Sequence, residues 1–341
     1  MFILKNIVRE NILRLNAYSS ARDEYTGEAN VFLDANENPF GDLNRYPDPQ
    51  QKELKNSLSK LNNIATNNIF IGNGSDEVID LAFRIFCTPG KDKALTFSPT
   101  YGMYDVSANI NNIELIKVPL TDDFQINIDQ TKSFLNDECL KLIFICSPNN
   151  PTGNTFNTAD IEYILNNFNG IVILDEAYID FSPATSWNKK IAEYPNLIVS
   201  QTFSKAWGLA AARVGIAYTN TNIISLFNKV KPPYNVSELN QKAAINALDN
   251  TIEFEKNKQL ILIEKEKLSK TLKTLTLVKK VYPSDANFLL IEVDNATIIY
   301  NDLVGQKIII RNRNNVIKNC VRITIGSAEE NVKLINALKN S

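Results

Sequence analysis

An α/β fold with a mainly parallel central sheet flanked by helices, followed by a smaller C-terminal α+β unit, is predicted by three features of the chain. Short apolar runs alternate with helix-period patterns from Ile69 to about Gln201, the order that builds a parallel sheet between helices. The alternation fades after Lys231-Pro232-Pro233, where helical and strand-like runs segregate instead. A length of 341 residues suits a large domain with a smaller satellite, or two domains. The expected divisions are an N-terminal arm over 1–30, a large domain over 31–236 and a small domain over 237–341.

Residues 1–30 are polar and irregular, and NAYSSARDEY reads as an arm lying on the body. VFLDANENPFG places a short strand at Val31 to Leu33 ahead of a turn-rich loop with Pro39 and Gly41, and LNRYPDPQ leaves Tyr46 exposed between two turn signals. The strand IFIG is followed by Val78, Ile79, Leu81, Ala82, Ile85 and Phe86 at helical spacing. KALTF, a helix from Tyr101 to Asn109, ELIKV, a helix near Asp129 to Asn136, LIFIC, a helix near Thr158 to Phe168, IVILD and LIVSQ complete the large domain. One long helical stretch, Ser237 to about Leu275, leads into TLVKKV, NFLLIEV, IIIR and VRITI. A last helix opens at Ser327, where Glu330 three residues on makes a capping-box pattern.

With 36 Lys plus Arg against 38 Asp plus Glu, no broad basic surface for nucleic acid or anionic membrane is expected, and small molecules are the expected partners. The apolar start is interrupted by Lys5, Arg9 and Glu10, and no later run approaches membrane-spanning length, so a cytoplasmic protein is expected. Cys87, Cys139, Cys146 and Cys320 are scattered without a C-x-x-C pair, which argues for reduced thiols and against zinc or a disulfide framework. The chain has no histidine, which removes Ser-His-Asp and Cys-His nucleophiles, His-ligated metals and imidazole proton transfer. No metal is expected, and proton transfer falls to Lys, Asp, Glu or Tyr.

Parallel sheets bind ligands beyond the carboxyl ends of their strands, so the residues there carry the functional reading. After IFI, the turn Gly72-Asn73-Gly74-Ser75-Asp76-Glu77 opens a helix whose backbone N–H groups and positive end suit a phosphate. After KALTF, Tyr101 offers an aromatic plate; after LIFIC, Asn150 precedes Pro151 in SPNNPTG. IVIL is followed by Asp175, with Tyr178 three residues later, and LIVSQ by Thr202, Ser204 and Lys205, with Arg213 beyond. Lys205, among alanines with Trp207 and Leu209, should lose hydration, which lowers its pKa and frees an amine to attack a carbonyl. Singly, each has a plain structural reading: a snorkelling lysine, a capped helix start, a core tyrosine.

Pyridoxal 5′-phosphate accounts for all of them together. Its aldehyde condenses with a lysine, its ring nitrogen needs a carboxylate and its phosphate needs Arg and backbone N–H donors. NAYSSAR, DANENPFG, RYPD, GNGSDE, SPTYGMY, CSPNNPTG, DEAYIDF, TFSKAWGLAAARVG, IIIR and VRITIG, spread almost end to end, resemble the fold-type-I pyridoxal-phosphate aminotransferases. Within that group, NENP, RYP and TYGMY are similar to the histidinol-phosphate aminotransferases.

The resemblance implies that Lys205 bonds the cofactor and moves the substrate proton, Asp175 meets the ring nitrogen, and Asn150 and Tyr178 serve the phenolic oxygen. It further implies that Gly74, Ser75, Asp76, Ser204 and Arg213 hold the phosphate, that Thr202 is also cofactor-binding, and that Tyr101 stacks on the ring. Tyr46 would reach the phosphate in a neighbouring subunit, which implies a homodimer with shared sites. Arg322 would take the glutamate α-carboxylate; Arg311, with Tyr18, Asn36 and Arg22, would serve the substrate side. The implied reaction exchanges the amino group of histidinol phosphate with 2-oxoglutarate, in histidine biosynthesis. An aromatic-amino-acid aminotransferase or a threonine-phosphate decarboxylase would use the same cofactor residues. A regulator that binds the cofactor without turnover would need an appended basic domain, and a structural protein would leave Asp175, Asn150 and Arg213 unexplained. Arg313 has no assigned role.

Overall fold

The computed structural model describes residues 2–340 other than 20, 22–24, 26, 28 and 29. Arg22 therefore lies outside the described residues. The large sheet has seven strands: β1 (Ile69–Asn73), β2 (Lys93–Ser98), β3 (Glu114–Pro119), β4 (Leu140–Cys146), β5 (Ile171–Asp175), β6 (Leu197–Thr202) and β7 (Val214–Tyr218). Their spatial order is β1-β7-β6-β5-β4-β2-β3. Strand β7 runs against both its neighbours, and the other joined pairs are parallel. Strands β4, β5 and β6 read as continuous apolar runs because helices and loops cover both faces, and every residue of β5 is buried.

Eleven α-helices are placed among the described residues: α1 (Glu10–Arg14), α2 (Lys52–Asn62), α3 (Ser75–Phe86), α4 (Met103–Ile110), α5 (Ile128–Thr131), α6 (Thr158–Asn167), α7 (Thr221–Val230), α8 (Glu238–Asp249), α9 (Thr251–Leu272), α10 (Ala296–Gly305) and α11 (Ala328–Lys339). Helix α3 buries Val78, Ile79, Leu81, Ala82, Phe83, Ile85 and Phe86 against the sheet, so its amino end stays fixed at the end of β1. The second sheet is antiparallel, ordered β10-β11-β9-β8, from β8 (Val278–Val281), β9 (Phe288–Val293), β10 (Arg311–Asn312) and β11 (Cys320–Thr324). One face, with Leu289, Ile291, Val293, Val321 and Ile323, packs on Leu272, Leu303, Leu334 and Leu338 of the helices. Alternation along β11 turns Arg322 to the other face, toward the large sheet. The two sheets meet where Asp285 Oδ2 accepts from the backbone N–H and hydroxyl of Thr155, at 3.0 and 2.8 Å.

Several sequence expectations are corrected. Val31 to Leu33 is not a strand: Val31 is 72% and Leu33 90% exposed, and without a neighbouring strand an extended segment gains no ladder bonds. The helix expected near Asp129 to Asn136 shrinks to α5, and IIIR contributes only the two-residue β10. The stretch from Ser237 splits at Asn250, whose side chain accepts from Glu253 N and starts a new helix. Helix α2, strand β7 and helix α7 have no counterpart in the sequence reading. The capping box at Ser327 forms as its pattern predicts, with Ser327 N donating to Glu330 Oε2 at 2.8 Å. Cys87, Cys146 and Cys320 are buried, Cys139 is half-buried, and all four are free thiols.

Candidate active site

Strands β1, β5 and β6 end at one cavity, lined by Ser75, Asp76, Tyr101, Cys146, Asp175, Ala177, Tyr178, Thr202, Ser204, Lys205, Ala210 and Arg213. Nine of the residues singled out in the sequence are thus brought together, Tyr101 coming from the loop after β2.

Asp175 closes β5 and is almost fully buried. Its Oδ2 accepts from the Tyr104 hydroxyl at 2.8 Å and its Oδ1 from Ala177 N at 3.1 Å. Burial pushes its pKa up to about 6, against the pull of those two donors and of the Lys205 charge. Tyr104 was missed in the sequence, although TYGMY places it three residues beyond Tyr101, at the start of α4. Tyr104 is wholly buried and stacks on Phe144 at 4.9 Å, which holds its hydroxyl on the carboxylate.

Lys205 stands on the turn after β6, its side chain accessible from the cavity. Its pKa is lowered by partial burial and then by the Arg322 guanidinium, with Asp175 opposing. Its Nζ lies 5.7 Å from the Tyr178 ring centre. The expected desolvation is the largest cause of the lowered pKa, and the Arg322 charge adds to it; Trp207 itself stacks on Phe254 at 3.9 Å and Leu209 packs on the main core.

At the other end of the cavity, Gly74 precedes α3 with φ of +76°, and no side chain caps that helix start. Arg213 holds the left-handed conformation, φ +51°, unusual for a long side chain. Its Nη2 pairs with Asp76 Oδ2 at 3.0 Å, and Asp76 Oδ1 accepts from Tyr101 at 3.2 Å. A Cβ on Gly74 would lie 2.7 Å from that Nη2, and one on Gly215 would lie 2.2 Å from Ser75 N. Both glycines are therefore required for the close approach of β7 to the helix start. Thr202 Oγ1 lies 3.0 Å from Ser204 Oγ and accepts from Ser204 N at 3.1 Å, so it orients the hydroxyl. Uncapped N–H groups, two serines and an arginine suit an anion; the side chain of Asp76 instead holds Arg213.

Above the cavity, Asn150 donates Nδ2 to the Tyr178 hydroxyl at 3.1 Å and accepts from Arg322 Nη1 at 2.5 Å. Arg322 also lies 5.2 Å from the Phe288 ring, and its Nε is buried without a partner. Arg311 sits directly across the ladder from Arg322. Three expected residues stand apart within one chain. Asn36 and Tyr46 line a separate cleft with Ser237 and Leu239, where Tyr46 stacks on Tyr234 at 4.3 Å. Tyr18 is 70% exposed.

A mainly parallel sheet that turns a lysine, a buried carboxylate and an anion cradle into one cavity defines a fold-type-I transferase of the pyridoxal-phosphate class. The chain belongs to the family of class I and II aminotransferases, whose sequence model matches residues 11–338. It is 51% identical to the histidinol-phosphate aminotransferase of Flavobacterium psychrophilum, over 99% of each chain. It is 50% identical to that of Parabacteroides distasonis, over 99% of this chain and 98% of the other. The crystal structure of the Clostridium acetobutylicum histidinol-phosphate aminotransferase superposes with a TM-score of 0.79 at 27% identity, covering 87% and 90% of the two chains. The Sinorhizobium meliloti enzyme in complex with pyridoxal-5′-phosphate shares the fold, with a TM-score of 0.80 at 23% identity, covering 87% and 82%.

Asp175 sets a pH signature of the cofactor-free protein. A carboxyl raised from 3.8 to about 6 favours its neutral form in the folded chain, so it costs nothing below about pH 4 and destabilises as pH rises through 6. Urea unfolding should show Asp175→Asn losing a pH-dependent decline of about 3 kcal/mol between pH 4 and 7. Parallel pH profiles for the two proteins would refute the buried-carboxyl account.

Proposed function

We propose that this chain transaminates histidinol phosphate with 2-oxoglutarate, giving imidazole-acetol phosphate and glutamate in histidine biosynthesis, with pyridoxal 5′-phosphate as cofactor. The observation that carries the chemistry is Lys205 and the buried Asp175 lining one cavity that ends in an anion cradle. The substrate rests on end-to-end identity of about half to relatives of that name.

When bound, the cofactor supplies an aldehyde that takes up an amino group and a ring that draws electrons from the substrate α-carbon. Gly74, Ser75, Ser204 and Arg213 receive its phosphate, with Thr202 orienting Ser204 and Asp76 fixing Arg213. Asp175, buried away from water, would meet the cofactor's ring nitrogen, and Tyr104 keeps its carboxylate in place. Tyr101 would pack on the cofactor's ring, while Asn150 and Tyr178 would serve its phenolic oxygen. Lys205, its pKa lowered toward the neutral amine, would be the group to hold the cofactor's aldehyde and to move the α-carbon proton.

Arg322 receives the α-carboxylate of glutamate as a two-point fork, and Arg311, with Tyr18 and Asn36, serves the substrate's phosphate side. Tyr46, exposed and outside the Lys205 cavity of its own chain, serves the cofactor phosphate of a second copy in a homodimer. The division into an arm over 1–30, a cofactor domain over 31–236 and a small domain over 237–341 assigns Arg311 and Arg322 to the small domain. No helix among the described residues is long and apolar enough to cross a membrane, and we place the enzyme in the cytoplasm.

Borohydride treatment of the purified protein should fix the cofactor to the peptide carrying Lys205 and abolish the near-violet absorption. An identical spectrum and mass shift in Lys205→Ala would sink the assignment. Transamination assays on Arg311→Ala should show histidinol phosphate weakened by about 2–5 kcal/mol, as for a truncated buried charge pair, and glutamate far less; equal losses would refute the role. Mixing Tyr46→Phe with Lys205→Ala subunits should return activity, because the heterodimer holds one site with both defects and one with neither. Heterodimers without recovered activity would count against shared sites.

A further inference from the structure

The small sheet turns three guanidiniums to one face. Arg311 pairs with Arg322 across β10 and β11, and Arg313 N donates to Cys320 O at 2.9 Å, which continues the ladder by one step. Arg311 and Arg313, two residues apart on an extended segment, therefore share the face of Arg322, the face that reaches Asn150 over Tyr178. Arg313 is close enough to Arg322, Arg311 and Tyr178 for all three to act on its charge.

These cations lack counter-ions. Among the described residues no carboxylate forms an ion pair with Arg311, Arg313 or Arg322, and the Nε atoms of both Arg313 and Arg322 are buried without an acceptor. Glu292, opposite Cys320 on the next strand, accepts from Tyr282 and not from an arginine. Burial and the two neighbouring arginines bring the Arg313 pKa down to about 10, so the group remains a cation at neutral pH. A half-buried guanidinium with an orphaned donor beside two like charges is unfavourable unless an anion completes it. Its side chain does no visible structural work: the turn that follows is held by the Arg313 carbonyl, which accepts from Val316 N and Ile317 N.

A carboxylate has two oxygens and one charge, and Arg322 alone can meet it as a fork. A phosphate monoester brings three oxygens and up to two charges, enough for two guanidiniums. We propose that Arg313 is a specificity residue that joins Arg311 in a two-guanidinium pocket for the phosphate end of the substrate. This rests on the reading of histidinol phosphate as substrate. Arg313 makes a dianionic tail the preferred occupant over an uncharged aromatic one.

The test uses the holoenzyme with Arg313→Gln, which keeps a polar side chain of similar reach, and Arg313→Lys, which keeps the charge. Steady-state KM is measured for histidinol phosphate and for glutamate, and inorganic phosphate is titrated as an inhibitor of the glutamate reaction. For Arg313→Gln the KM for histidinol phosphate should rise about 10- to 100-fold relative to that for glutamate, the range for losing a charge-assisted hydrogen bond. Inhibition by phosphate should weaken in parallel, and Arg313→Lys should recover part of both. An unchanged KM ratio with unchanged phosphate inhibition overturns the inference, as does an equal loss for both substrates. If the wild type does not turn over histidinol phosphate, yet phosphate inhibits it and Arg313→Gln relieves that inhibition, the anion pocket stands and the substrate reading falls.

Discussion

The site depends on a carboxylate held where water cannot reach it. Asp175 ends a strand that is buried from its first residue to its last, between parallel neighbours that leave no room for solvent. Such a group is costly when ionised unless a cation or well-placed donors meet it. Tyr104 and Ala177 N meet it in part, and the remaining deficit leaves Asp175 suited to a cation in the cavity, the part proposed above for the cofactor's ring nitrogen. The sheet thus makes cofactor binding and carboxylate burial one energetic problem with one solution.

The rest of the cavity follows from that placement. Because β5, β6 and β1 stop at a common level, their loops hold the amine, the carboxylate and the anion cradle at distances no single loop would span. Strand β7, antiparallel between β1 and β6, brings Gly215 hard against the start of α3 and presents Arg213 beside Asp76. The left-handed backbone at Arg213 lies between a short 3-10 turn and β7, with its guanidinium tied to Asp76. The antiparallel sheet adds arginines from above, and the Asn150 amide, bonded to Tyr178 and Arg322 at once, joins the two layers.

Much of this was legible in the sequence because strand ends in a parallel sheet are marked twice, by an apolar run and by the polar residues that stop it. IVILD and LIVSQ locate Asp175 and Lys205 without any knowledge of the fold. Strand β7 was hidden because VGIAY continues a loop motif and is too short for its period to show. Val31 to Leu33 has a strand's composition, but pairing is a property of neighbours, which composition does not contain. Tyr104 escaped because its importance lies in a contact 71 residues away in sequence. The break at Asn250 was missed because a polar-apolar pattern runs through it unchanged, and only the cap distinguishes two helices from one.

The segment DEAYID has a consequence for how this chain responds to acidity. Glu176, bonded to Ser186, Trp187 N and Gln201, is raised by burial to about 7, and the half-buried Asp180 by partial desolvation to about 6. With Asp175, three carboxyls within six residues are raised by burial toward the range where imidazole ordinarily titrates, in a chain that contains no histidine. Once a cation settles on Asp175 that carboxyl leaves the neutral range, and Glu176 and Asp180 remain. Of the three, Asp175 alone lines the cavity with Lys205, while Glu176 is tied to Ser186, Trp187 and Gln201 and Asp180 stays partly open to solvent.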